Sequence, residues 1–88
     1  MNEQEKFTFA IQKNDIKNFK ILLKDKSVNP SNNNNYAIRH ASEYGYFEIV
    51  KLLLNDKRVD PSSFNDFAIK HASQNGHTEI VKLLLKDE

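Results

Sequence analysis

Two long segments of this 88-residue chain are close copies of each other, offset by 31 residues without a gap. Residues 37–42 read AIRHAS and recur at 68–73 as AIKHAS, and the EIVKLLL of 48–54 recurs unchanged at 79–85. A fixed period in the range of about 20–50 residues is the signature of stacked repeats, in which each unit buries its apolar face against its neighbours. The period therefore predicts a stack of helical units, and such stacks typically act as recognition surfaces rather than as catalysts.

Composition excludes several classes of function. The formal charge is +1, which does not favour a nucleic acid or a membrane surface as the partner. The chain has no cysteine, so disulfides and thiolate metal sites are excluded and a reducing compartment is permitted. The first twenty residues are polar and mixed in charge, unlike a signal peptide. We expect an intracellular, cytoplasmic protein with no nucleic-acid and no membrane partner.

Each of the two good copies contains two helical patterns. In the earlier copy the first pattern runs from about Asn34, a predicted N-cap, to Tyr44, and the second runs from about Phe47 to Asn55. Gly45 stands between them, where a left-handed residue commonly ends a helix. The later copy repeats this plan with Asn65 as the predicted cap and Gly76 in the turn, and the loops before both copies contain proline. The residues predicted to face the interior of the outer helices are Ile49, Val50, Leu53 and Leu54, and Ile80, Val81, Leu84 and Leu85.

The N-terminal stretch is a degenerate copy at the same phase. When the sequence is shifted by 31 residues, Asn14 aligns with Gly45, and asparagine tolerates the left-handed conformation. Asp15 can then cap the next helix. Polar residues such as Lys6 and Asn18 replace apolar ones, which indicates an N-terminal cap. The sequence thus predicts three helix pairs in a single domain, with repeats at about 1–27, 28–58 and 59–88.

At these residues the chain resembles the ankyrin repeat family. The run GHTEIVKLLL at 76–85 reads like the family's G-H-x-E-I-V-K-L-L-L segment, and the Asp-Pro-Ser version of the loop is similar to the repeats of amoebae and of the large viruses that infect them. The resemblance implies an all-α ankyrin-type solenoid. The period is shorter than the usual one of about 33 residues, and the missing residues fall in the finger loop. The resemblance therefore implies shortened fingers with little or no β pairing.

One pair of residues could bind a metal ion or could have a packing role. His40 and Glu43 have the spacing of two ligands on one helix face, but the later copy has Gln74 in place of the carboxylate and no further ligand is evident. A packing histidine is the favoured interpretation, and His77 is expected to bond loop carbonyls. No serine has a base beside it, and there is no glycine-rich phosphate loop. The sequence predicts no catalytic residue, no cofactor and no metal.

Candidate contact residues are the positions that differ between the good copies, because the scaffold positions match. The resemblance implies that loop tips and the exposed side of the inner helices form the recognition surface for another protein. Unconstrained drift is the alternative explanation for the same differences. The predicted partner-binding residues are Asn33, Arg39, Glu43, Tyr44, Tyr46, Phe64, Asp66, Lys70, Gln74 and Asn75.

A second hypothesis is self-association, either as a structural repeat unit or as a fragment of a longer repeat protein. Ile80 and Leu83 are predicted to face a repeat that would follow the third one, so that a homodimer could form through this C-terminal face. The N-terminal face, with Lys6, Lys13 and Asn18, is expected to be too polar to receive it. A two-fold dimer is therefore expected in preference to a head-to-tail stack.

Overall fold

The computed structural model describes residues 1–86, and of residues 64 and 65 it describes the backbone alone. The helices are α1 (Glu3–Gln12), α2 (Ile16–Leu23), α3 (Asn32–Tyr44), α4 (Phe47–Leu54), α5 (Ser63–Gln74) and α6 (Thr78–Lys86). No residue in this described part of the chain forms a strand. The prediction of three helix pairs with fingers that lack β pairing is confirmed.

The helices are arranged in two rows. The odd-numbered helices pack in the order α1, α3, α5 to form an inner row, and the even-numbered helices pack as α2, α4, α6 behind them. Each helix also packs against its own pair partner, so the middle pair is covered on both sides. One continuous apolar core runs through the stack, from Phe7 in α1 to Leu84 in α6.

The turn inside each helix pair has the predicted left-handed residue. Gly45 and Gly76 have φ angles of 80° and 76°, and Asn14 has a φ angle of 53° at the equivalent position of the first pair. In all three turns the backbone N–H that follows donates to a carbonyl five residues back, at 2.8–2.9 Å, which satisfies the end of the helix. Asp15 caps α2 as predicted, because its side chain accepts a hydrogen bond from Asn18 N.

The predicted N-cap at Asn34 is wrong. Asn33, Asn34 and Asn35 all have φ angles of 55–60° and form a left-handed turn ahead of the right-handed part of α3. An N-cap residue needs an extended backbone, which Asn34 does not have. Asparagine is one of the few residues that adopts this conformation at modest energetic cost. The corresponding cap prediction at Asn65 concerns a side chain outside the described residues.

The first repeat is less degenerate than the sequence comparison suggested. Phe7 and Phe19 are completely buried and their rings stack with centroids 5.2 Å apart. Neither residue was predicted to be in the core, because their identities differ from those of Ile38 and Val50, which hold the same positions in the middle repeat. The first repeat therefore contributes large buried side chains to the core, on the side that faces the second repeat.

The residues predicted to form the C-terminal face, Ile80 and Leu83, are wrong. Ile80 is 2% exposed because it packs toward the second repeat, and Leu83 lines a surface pocket together with Leu54 of α4. Leu85, predicted to be inside, is 52% exposed. Hydrophobic periodicity identifies the apolar side of a helix, but it does not show which edge of that side faces the preceding repeat and which faces the next.

Side chains link neighbouring finger loops in place of β pairing. Gln4 bonds both backbone groups of Asn29, accepting from its N–H at 2.7 Å and donating to its carbonyl at 3.1 Å. One repeat later, Asn35 Oδ1 accepts from the N–H of Asp60 at 2.8 Å. These two links occupy equivalent positions, 31 residues apart, so they fix the fingers in the same register as the helices.

The Asn35 link predicts a difference between two neighbouring asparagines. Asn35→Gly should destabilise the protein by about 1 kcal/mol relative to Asn34→Gly, since of the two only the Asn35 side-chain oxygen accepts the inter-repeat hydrogen bond from Asp60 N–H. Glycine tolerates the left-handed backbone at both positions, so the pair is matched for strain. Urea unfolding of both variants measures the difference. Equal free energies of unfolding would show that the link adds no stability.

Candidate binding surface

Four aromatic rings form a cluster on the surface of the middle repeat. Tyr36, His40 and Tyr44 lie at four-residue spacing along α3, so their rings stack in sequence, with centroid distances of 5.3 Å and 4.4 Å. Tyr46, in the turn after α3, completes the group, with its ring 6.1 Å from that of Tyr44. We call these four residues the aromatic cluster.

The aromatic cluster is fixed to the first repeat by hydrogen bonds. Gln12 Nε2 donates to the hydroxyl of Tyr36 at 3.2 Å, and the hydroxyl of Tyr46 donates to the carbonyl of Gln12 at 3.5 Å. The Tyr36 hydroxyl also bonds His40 Nδ1 at 3.2 Å. Three of the rings are therefore held in place, whereas Tyr44 covers the cluster with 57% of its surface exposed. A partner would meet a preorganised aromatic surface.

His40 is the central ring and is poorly solvated. Its Nε2 atom is buried and has no hydrogen-bond partner among the described residues. Burial lowers the pKa of His40 below its ordinary value of 6.5, and the negative charge of Glu43 opposes that shift. The neutral imidazole is thus the form that the folded protein favours.

This pKa shift predicts that stability depends on pH. A histidine whose pKa is lowered by folding binds its proton more tightly in the unfolded chain, so stability falls as the pH drops through its unfolded pKa. The wild-type protein should lose stability between about pH 7.5 and about pH 5.5, around the histidine pKa, and His40→Leu should lose less. Thermal melts of both proteins across this range measure the effect. An equal loss in both would contradict the buried position of His40.

Arg39 has a role that the sequence did not reveal. Its Nε and Nη2 atoms donate to the carbonyls of Asn34 and Asn33 at 3.0 Å and 3.2 Å, and its guanidinium lies over the ring of Phe67, 5.3 Å from the centroid. The side chain therefore supports the left-handed asparagine turn and bridges the second and third repeats. It is partly buried, so it offers less of its surface to a partner than expected.

The comparison with protein families decides the identity of this architecture. The family model described as ankyrin repeats in three copies matches residues 7–88. The chain belongs to the ankyrin repeat family. Comparisons with curated proteins and with solved structures give no match. Ankyrin repeats are generally protein–protein interaction modules, and the family is generally non-enzymatic.

The ten predicted contact residues differ in their exposure within the ankyrin stack. Three are partly buried, namely Arg39, Glu43 and Tyr46, and six are exposed, namely Asn33, Tyr44, Asp66, Lys70, Gln74 and Asn75. The side chain of Phe64 lies outside the described residues. The structure brings Tyr44 and Tyr46 together, whereas Asp66 and Lys70 lie on the inner helix of the next ankyrin repeat, α5.

Two predicted residues make contacts between ankyrin repeats. The Asn75 amide donates to the carbonyl of Glu43 at 2.9 Å, and His77 Nε2 bonds the same carbonyl, also at 2.9 Å. The expectation that His77 bonds a carbonyl is confirmed, although this carbonyl belongs to the last turn of α3. Sequence reasoning missed Tyr36 and Gln12 as parts of the surface, and the four-residue spacing of Tyr36, His40 and Tyr44 was the available signal.

Two features of residues 1–86 bear on other functions. No group of three or more histidine and acidic side chains in this range is placed to hold a metal ion. Within the same range, no helix has the length and apolar character needed to span a bilayer.

Proposed function

We propose that this ankyrin repeat protein is a non-catalytic module that binds another protein through its inner-helix surface and finger-loop tips. The observation that carries the proposal is the aromatic cluster. Tyrosine is enriched among the residues that contribute most to binding energy at protein interfaces. An exposed tyrosine stacked on a fixed neighbour also loses little conformational entropy when a partner binds.

The charges around the aromatic cluster support a protein partner. Lys70 and Asp66 are exposed on α5, and Glu43 is partly exposed on α3, so both signs are present within one surface. Mixed charge beside aromatic rings suits a polypeptide, which carries donors, acceptors and apolar groups together. It does not suit a nucleic-acid backbone, which requires a surface of one sign.

The outer row of helices provides the contrast. Lys17, Lys20, Lys51 and Lys82 are all exposed on this side, and acidic residues such as Glu48 and Glu79 are interspersed with them. Solvated lysines lose considerable side-chain entropy on ordering and are depleted in interface cores. We therefore assign recognition to the inner side and solubility to the outer side.

A binding experiment with paired variants tests this assignment. The tagged protein would be used to recover partners from extracts of its own cells, and each recovered protein would be compared between two double variants. Tyr44→Ala with Lys70→Ala should lose the partner, while Lys20→Ala with Lys51→Ala should retain it. Truncation of a residue central to an interface typically costs about 2 kcal/mol or more. Equal recovery by both variants, or loss only with the outer pair, would contradict the proposal.

A further inference from the structure

The repeat period identifies which residues a following repeat would cover. In the middle repeat Ile38, Ser42 and Val50 are fully buried beneath the third repeat, and Leu54 is partly buried. The equivalent residues of the third repeat are more exposed, and Leu85 is 52% exposed. We define the C-terminal face as these equivalents, namely Ile69, Ser73, Val81 and Leu85.

The opposite end of the stack carries a groove of mixed character. Its volume is about 360 Å³, and its lining combines apolar residues, among them Met1, Phe9, Ile21 and Leu22, with the polar Glu3, Lys6, Asp15 and Asn18. Phe9 and Ile21 are 48% and 61% exposed. We call this groove, together with the exposed Glu5 next to Lys6 on α1, the N-terminal face. Lys6 and Asn18 lie in its lining, as the sequence predicted, and exposed apolar side chains lie beside them.

The two faces match when the contacts between the second and third repeats are transferred to the third repeat of one copy and the first repeat of another. Leu54 and Leu83 line one pocket between the second and third repeats. The same contact across two copies pairs Leu85 of one copy with Ile21 of the next. Both are exposed leucine or isoleucine side chains, so their contact would repeat an interface that the chain already contains.

The charges match in the same register. Arg39 lies over Phe67 between the second and third repeats. The equivalent positions across two copies are Lys70 and Glu5, which carry opposite charges. Opposite charges across an interface favour association and fix its register.

We propose that copies of this protein stack head to tail, with the C-terminal face of one copy on the N-terminal face of the next. This is a heterologous contact, and it continues the ankyrin stack from one molecule into another. It adjoins the proposed recognition surface and shares Lys70 with it, whereas Ile21 and Leu85 lie outside the aromatic cluster. The occupant of each end face is thus a second copy of the same chain.

The contact is weaker than the internal ones. Lys6 and Asn18 stand where the second repeat has the buried residues Ala37 and Ile49, so the contact between copies includes two polar side chains at positions that are apolar inside the chain. A lysine can lie along an apolar surface while its ammonium group stays in water. Small and partly polar interfaces of this kind are typical of transient association. We therefore expect association at high protein concentration and dissociation on dilution.

Sedimentation equilibrium with face variants tests the geometry. The wild-type chain should rise above monomer mass as its concentration approaches about 1 mM, the range of weak complexes. Leu85→Lys and Ile21→Lys should each remain monomeric, because each removes one of the two faces. An equimolar mixture of the two variants should form a heterodimer and stop there, since one intact face of each kind remains. Phe47→Lys, which changes an exposed apolar residue of the middle repeat, is the control and should associate like the wild type.

The other outcomes contradict the proposal in distinguishable ways. If Ile21→Lys still dimerises and only Leu85→Lys is monomeric, the copies pair two-fold through the C-terminal face. If the wild-type chain is monomeric at about 1 mM, the end faces do not bind each other. Circular dichroism of every variant ensures that a monomeric result reflects a lost contact and not a lost fold. Because these variants leave the aromatic cluster intact, failure here leaves the proposed recognition function standing.

Discussion

Leu53→Ala is expected to destabilise the protein by about 2–5 kcal/mol, the range measured for buried leucine truncations. Leu53 is completely buried in the outer helix of the middle repeat, where repeats on both sides surround it. A domain of this size has little stability in reserve. The variant should therefore melt well below the wild type, and a substantial fraction should be unfolded near body temperature. Thermal unfolding followed by circular dichroism measures the change.

Leu85→Ala is the matched control for this experiment. It truncates a leucine in the later copy of the same EIVKLLL segment, but its side chain is largely exposed. At low protein concentration its free energy of unfolding should change by no more than about 0.5 kcal/mol, as for other surface substitutions. If the two truncations had similar effects, the assignment of buried and exposed edges in the outer helices would be wrong.

Gly45→Ala should destabilise the protein more than Gly76→Ala does. Both glycines have positive φ angles, and a Cβ in that conformation costs about 1 kcal/mol or more. At Gly45 the new Cβ would also lie 2.7 Å from Cε1 of His77, whereas at Gly76 nothing lies within 4 Å. The His77 ring is held by its bond to the Glu43 carbonyl, so it must move and weaken that bond. We expect an additional loss of about 1 kcal/mol at Gly45.

A double-mutant cycle separates the two contributions to the Gly45 effect. In a His77→Ala background the steric conflict is absent, so Gly45→Ala and Gly76→Ala should destabilise the protein by similar amounts. The free energies of unfolding come from urea titration of six proteins, namely the wild type, the two glycine variants and the same three with His77→Ala. A difference that persists without His77 would show that backbone strain alone distinguishes the two turns.

The repetitive parts of the fold were the most predictable from sequence. The period located the helix pairs, and the glycine positions located the turns, because a left-handed residue is required wherever one helix ends and the next begins immediately. Asn14 was predictable for the same reason. The first-repeat core was not, since Phe7 and Phe19 differ in identity from Ile38 and Val50 while filling equivalent space.

The binding surface was only partly predictable. Differences between the copies identified Tyr44 and Tyr46, which are parts of the aromatic cluster. They did not identify Tyr36. They also suggested that the Arg39 side chain is exposed and available to a partner, although it supports the asparagine turn. Three consecutive left-handed asparagines have no apolar periodicity, so the pattern that predicts helices could not indicate this turn. The C-terminal face was assigned to the wrong residues because the edges of an apolar helix face are distinguished only by packing.

Photo-crosslinking in cells is the most direct test of the claim that recognition occurs on the inner side of the ankyrin stack. A photoreactive phenylalanine analogue would replace Tyr44 in one protein and Lys51 in another, since both positions are exposed and lie on the inner and outer helices of the same repeat. The account predicts a specific crosslinked partner protein from position 44 and none from position 51. A partner captured from position 51 and not from position 44 would contradict it.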